Sequence, residues 1–334
     1  NRSSGPLWLP SASAIFRHSG HSQYACQSFC DTENSRACGF LRMFSRTFCV
    51  TMRSTSGFDR QSWDLSLRRW PPVKNALLHA ARQLKILALD DDHKLPDENA
   101  VARFAPEDFF ASGQSHRFAE ICLDSSDPEA ARRLAVRLRA AMRQKPDTVV
   151  AVALPLDRNT REAALCLAEH GIGVLRFYAG RDGNELEKNA PRFIKEAVRD
   201  IHLAFVQARR RDSVTLLAGG GIAMAEHVAK LIACGADGVV VDEALLVALE
   251  CRLCPSCAAA DSCPVEIEKA DAAWAAQRIV NLLGSWHSQL IEVMGAMGIR
   301  EIRRLRGEVG RVMFFKDLEK ECFAPIFGER VESK

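Results

Sequence analysis

Four cysteines stand close together in "ECRLCPSCAAADSCPVEIEK", residues 250 to 269, with the spacing Cys251-x2-Cys254-x2-Cys257-x5-Cys263 and Pro264 directly after the last. Thiolates two residues apart on a turning backbone can point at one inorganic centre, and a Cys-Pro ending is a recurring partner of iron–sulfur clusters. Zinc is the alternative metal. Structural zinc usually takes two knuckles split by a longer loop, and three cysteines at successive short spacings depart from that pattern. A third reading, cysteines that merely fill a core, sits poorly with four so near one another. With all four as ligands a four-iron cluster is possible; if one of Cys251 and Cys254 is not a ligand, a three-iron cluster is.

Just upstream, "SVTLLAGGG" ends an apolar run in Gly219, Gly220 and Gly221 and leads into a helical pattern. Glycines there let backbone N–H groups approach a phosphate, helped by the charge of a helix N-terminus. The plain alternative is a tight turn. One unit later "DGVVVDEAL" ends in Asp242, Glu243 and Ala244.

These residues need elements to hold them. Apolar runs of strand length recur at 85–92, 118–124, 147–157, 173–180, 213–221 and 237–245, separated by helix-period stretches. One such stretch starts with Asp127 as cap and Pro128 in the first turn; another runs from a cap at Asn159 to Gly171. Near-continuous apolar strands alternating with amphipathic helices mean a parallel sheet covered on both faces. The expected fold class is α/β, a TIM-type (β/α)8 barrel that is incomplete, since about six strands are legible from residue 85. In such barrels the phosphate site follows strands seven and eight.

Composition sets the bounds. The chain has 334 residues, 47% of them hydrophobic, and a net charge of +3, enough for a real core and no argument for a general polyanion binder. No apolar run is long enough to span a bilayer. Twelve cysteines in so large a chain fit a reducing compartment better than a disulfide framework, so the expected location is the cytoplasm. Residues 1–75 are Ser- and Arg-rich without a sustained period. A targeting segment, the remainder of an upstream domain and non-native sequence are the three readings; the acids Asp31 and Glu33 interrupt a transit pattern, which favours the latter two. The expected organisation is an irregular segment over 1–75, a barrel portion over 76–249, a cysteine loop over 250–268 and a helical extension over 269–334.

Several residues take bland readings. His202, His227 and His287 read as surface or packing residues on helices. Trp274 and Trp286 are spaced to bury one helix face against the barrel. "REIRRLRGEVGR" reads as a solvated face paired with Glu301 and Glu308, and "ARRRDSV" as an ordinary basic helix end.

The glycine turn, the cysteine loop with "CPVEIE" and the tail "GAMGIREIRRLRG" resemble the C-terminal part of the FMN-binding glutamate synthase family, over roughly residues 140 to 330. The resemblance implies a (β/α)8 barrel that binds FMN beside an iron–sulfur cluster. Gly219, Gly220 and Gly221 would hold the FMN phosphate, with Asp242, Glu243 and Ala244 closing the next turn, and Cys251, Cys254, Cys257 and Cys263 would hold the cluster. It further implies an electron donor such as a ferredoxin or reductase subunit, and reduction of an imine formed from 2-oxoglutarate and ammonia to glutamate. The family's "GGTG"-like segment and substrate lysine are not matched: "TVVAVALPLD" offers Pro155 and Asp157, and "VLRFYAGRDG" only Arg176 and Arg181. The two acids at 242 and 243 would repel a phosphate unless they point away or cap the following helix. Two functions therefore stand side by side: a glutamate synthase-like iron–sulfur flavoenzyme, and a cluster-carrying electron-transfer or scaffold subunit that has lost the flavin site. A zinc-stabilised barrel fragment is a third.

Overall fold

The computed structural model describes residues 48–50, 71–90, 98–112, 116–187, 190–254 and 263–307. Seven parallel strands follow one another around a curled sheet: β2 (Leu87–Asp90), β3 (Ala100–Phe104), β4 (Phe118–Cys122), β5 (Val149–Pro155), β6 (Val174–Tyr178), β7 (Thr215–Gly219) and β8 (Gly238–Val241). The short strand β1 (Phe48–Val50) pairs in parallel with both β2 and β8 and closes the barrel.

The strand count of six from residue 85 was one short. It missed β3, whose run "AVARF" is interrupted by Arg103, and the closing strand lies within the 1–75 segment. A charge inside a short apolar run reads as a loop unless its inward partner is known.

Helices alternate with the strands: α1 (Pro71–Leu84), α2 (Pro106–Ala111), α3 (Pro128–Gln144), α4 (Thr160–Glu169), α5 (Ile194–Gln207), α6 (Ala225–Ala233), α7 (Glu243–Ala248) and α8 (Ala272–Ala296). The cap at Asp127 forms as its sequence indicates, its carboxylate accepting from the amides of Glu129 and Ala130. Asn159 makes no side-chain cap. Instead Asp157 accepts from the Asn159 amide, and the Thr160 hydroxyl donates to the Pro155 and Asp157 carbonyls.

The near-continuous apolar strands follow from burial on both faces. Outward side chains such as Ala102, Ile121, Val152, Leu175 and Val239 pack under the helices. Inward ones, Leu87, Val101, Phe118, Ala151, Val174, Leu217 and Val240, form a separate apolar plug that floors the barrel. Because side chains alternate with period two, the next inward positions toward the C-terminal ends are Arg103, Glu120, Arg176 and Asp242, all buried.

At the opposite end, Arg211 is not an ordinary helix end. It is buried and donates to the carbonyls of Val214 and Gly235, to Asp237 and to His202 Nδ1. Burial and the neighbouring guanidiniums of Arg211 and Arg306 push the His202 imidazole down to about 4, a neutral packing histidine. Arg306, from the tail read as a solvated face, ties to Asp237 at 2.6 Å. Glu308 lies outside the described residues. On α8, Trp286 is buried as its spacing predicts, but Trp274 is 40% exposed with Arg278 over its ring.

Candidate active site at the barrel mouth

The glycine turn and Asp242 lie at the C-terminal ends of β7 and β8, and in TIM barrels this is the face where active sites are built. At the end of β7 the glycines are required by close backbone approach. Gly220 and Gly221 have positive φ, 113° and 68°, and a Cβ would stand 2.7 Å from the Ala179 carbonyl oxygen and from the Gly183 nitrogen respectively. The turn after β7 is thus pressed onto the loop after β6.

The next corner is already taken by acids. Asp242 is buried, and its carboxylate accepts from the amide of Glu243, the first of α7, at 2.7 Å. Burial pushes the Asp242 carboxyl up to about 7, although that amide and Arg176 pull the other way. Glu243 is ion-paired with Arg181 from the loop after β6, and Ala244 is buried in the first turn of α7. A phosphate would have to displace Asp242 from its amide and Glu243 from Arg181. As formed, Asp242, Glu243 and Ala244 do not fit an FMN phosphate.

The cysteine loop begins directly after α7. Glu250 and Leu253 turn through positive φ, 68° and 50°, and the Leu253 amide donates to Cys251 Sγ at 3.4 Å. Burial pushes the Cys251 thiol up, the Leu253 amide opposes this, and Cys263 and Cys254 push it further. Cys254 and Cys263 thus both act on the Cys251 thiol. Cys257 falls outside the described residues. Among the described residues, no three His, Cys, Asp or Glu side chains close on a single metal position. The three sulfurs, with an N–H···S bond to one, are the donor chemistry that an iron–sulfur centre uses.

Beneath the mouth lies a network that sequence reasoning did not assemble. Arg103 and Glu120 are register partners on β3 and β4. Arg103 Nε donates to Glu120 Oε1 at 2.8 Å, and Arg176 donates through Nε and Nη2 to Oε2 and Oε1 at 2.6 and 3.0 Å. Cys122, part-buried one inward step above Glu120, accepts from Arg103 Nη2 at 3.0 Å. Tyr178 stands one step above Arg176, its hydroxyl donating to the Leu123 carbonyl at 2.8 Å. The legible signal was a charge at an inward position of an otherwise apolar strand.

Comparison with known proteins follows the same boundaries. Residues 180–300 match the family model described as the conserved region in glutamate synthase. Over this segment the chain is similar to the glutamate synthase family. The chain is 27% identical to an archaeal glutamate synthase (NADPH) of Methanocaldococcus jannaschii over 68% of this chain and 46% of that one. It is 30% identical to an archaeal-type glutamate synthase (NADPH) of Thermotoga neapolitana over 54% and 37%. The chain thus spans less than half the length of these relatives. Among solved structures, a flavocytochrome b2 double mutant with pyruvate bound superposes with a TM-score of 0.50 at 12% identity, over 81% of this chain and 71% of that one. At that identity the likeness shows the barrel fold alone. The glutamate synthase region runs unbroken from the loop after β6 through the cysteine loop and α8. Among the described residues no helix is long and apolar enough to cross a membrane.

Proposed function

We propose that the chain is the barrel portion of a glutamate synthase-like oxidoreductase, with Cys251, Cys254, Cys257 and Cys263 holding an iron–sulfur cluster at the rim of the barrel mouth. The observation that carries this is the continuity of the family region across the mouth loops and the cysteine loop. When bound, such a cluster supplies one-electron steps. The chain's own part is to place the thiols: the turns at Glu250 and Leu253 fold the loop back, and the Leu253 amide orients Cys251. The relatives' names imply reductive synthesis of glutamate, and under this reading the partners are 2-oxoglutarate, an ammonia source and an electron donor such as a ferredoxin or reductase subunit.

The same relationship implies FMN. Asp242 and Glu243 occupy the expected phosphate corner and would not hold the phosphate of a flavin there. That occupation favours a second reading, a cluster-carrying electron-transfer or scaffold subunit without flavin. Anaerobic purification with assays for iron, acid-labile sulfide, zinc and FMN, and spectra of both redox states, separates the two. Iron, sulfide and stoichiometric FMN with 2-oxoglutarate-dependent oxidation support the enzyme. Iron and sulfide without flavin support the subunit. Zinc, or no metal, removes both.

A further inference from the structure

The outer face of α3 is charged in a way that exposure to water alone does not explain. After Glu129 in its first turn the helix carries Arg132, Arg133, Arg137, Arg139 and Arg143 and no further acid. A helix face turned to solvent commonly mixes signs at i, i+4 spacing, as α6 does with Glu226 and Lys230 at 3.2 Å. On α3 two i, i+4 pairs, Arg133 with Arg137 and Arg139 with Arg143, are of like charge, which works against the helix. Arg137 is answered by Glu107 of α2 at 2.7 and 2.8 Å and lies over the Phe110 ring. Arg132 has Glu129 at 3.8 Å. Arg133, Arg139 and Arg143 are exposed and, among the described residues, form no ion pair.

The arginines are ordered around an apolar crest. On the helical period, Val136 and Ala140 stand at i, i+4 along the middle of the outer face, with Arg132, Arg139 and Arg143 to one side and Arg133 and Arg137 to the other. The opposite side of the helix, Ala131, Leu134, Ala135 and Leu138, is buried. Val136 is 57% exposed, so the crest is open. An apolar seam flanked by rows of one charge is half of a paired-helix interface, in which the flanking charges choose the partner. The half that fits it has an apolar seam of its own, flanked by carboxylates. A second copy of α3 would bring arginine against arginine, and a phosphate backbone would leave Val136 without a contact.

We propose that α3 is a docking face for an acidic amphipathic helix of another protein, which lays its apolar seam along Val136 and Ala140 and pairs its carboxylates with Arg133, Arg139 and Arg143. Arginine suits this role, because its planar fork takes a carboxylate through two hydrogen bonds. Glu129 makes the first turn unsuited to an acid, so the partner's carboxylates belong along the later turns. α3 follows β4, across the barrel from β8 and the cysteine loop, and the inference does not rest on the cluster or flavin readings.

The probe is a dye-labelled synthetic peptide whose leucines recur at i, i+4 and i+7 between glutamates, and its control is a peptide of the same composition in permuted order. Fluorescence anisotropy with the full chain should show binding that weakens as salt is added. The helical peptide should bind about tenfold more tightly than the permuted one, the worth of covering Val136. Arg139→Gln combined with Arg143→Gln should weaken it about fivefold, what two exposed ion pairs contribute. The same exchange at Arg209 and Arg210, an exposed basic pair elsewhere, should leave binding unchanged. All of these positions are at the surface, and thermal midpoints check that each variant keeps the fold. Absence of binding, equal binding of the two peptides, or equal loss in the two double variants overturns the proposal. So does a single-stranded DNA of equal charge that binds as tightly as the helical peptide and is indifferent to Val136→Asn, which would make the face a phosphate site.

Discussion

Two ionic networks are buried in this barrel, one under the mouth and one at the opposite end, and they are finished to different degrees. At the bottom, Asp237 accepts from Arg211, Arg306 and the Leu216 amide, and Arg211 spends its remaining donors on two carbonyls and His202. Under the mouth, Glu120 is shared by two arginines, and Arg176 Nη1 has no hydrogen-bond partner among the described residues. The network at the opposite end ties scaffold elements together, whereas the other lies at the end where barrels do chemistry. The bottom network joins the start of β7, the start of β8 and the tail, all scaffold. The mouth network joins β3, β4 and β6.

The contrast can be broken by removing the hub of each network. Asp237→Ala should be the most damaging, about 3–5 kcal/mol by urea denaturation, because it strands a buried guanidinium that has no external substitute. Glu120→Ala should cost toward the lower end of that same range, about 3 kcal/mol, and formate should recover part of the loss there and none in Asp237→Ala. Equal responses of the two variants to formate would erase the distinction.

The two ends should also titrate in opposite senses. Asp242, at the mouth, holds its proton up to about 7 in the fold against an ordinary value near 3.8. The native state therefore binds more protons than the unfolded chain, and this contribution to stability falls as pH rises from about 4 to about 7. His202, at the bottom, is held down to about 4 against about 6.5, so its contribution rises over roughly the same window. In the native protein the two slopes oppose each other. Asp242→Asn should leave a urea midpoint that climbs from pH 4 to 6.5, and His202→Asn one that declines. The smallest effect is a control remote from both networks: Asp127→Ala removes the cap of α3 and should cost about 1 kcal/mol at any pH above the carboxylate range.

Much of the frame could be read directly. Apolar runs marked six strands, and Asp127-Pro128 marked a helix start that the structure keeps. The cysteine spacing and the glycine turn located the mouth loops. What escaped depends on pairing across distance. Arg103 made β3 look like a loop, and its meaning appears only when β4 brings Glu120 alongside. Glu120 and Arg176 are 56 positions apart, and no local pattern links them. The cap at Asn159 does not form because its backbone is itself helical, with φ −93° and ψ −11°, and the Glu162 amide goes to its carbonyl instead. The acids at 242 and 243 were legible as a difficulty, and the fold resolves it by giving each its own partner, a backbone amide and Arg181.

The way the barrel is closed has a mechanical side. Among the described residues, the first and last staves, β2 and β8, meet through the three residues of β1, a thin seam. The long helix α8 lies across the outside of that seam, packed along α1 next to β2 and along α6, the helix that leads into β8. It acts as a hoop that holds the first and last staves together. The covalent link from β8 to this hoop runs through α7 and the cysteine loop, so any centre that draws those thiols together also tightens the hoop. Under the proposed cluster reading, removing the metal should show first as faster hydrogen exchange along β1, β2 and β8, before β5 or β6 responds.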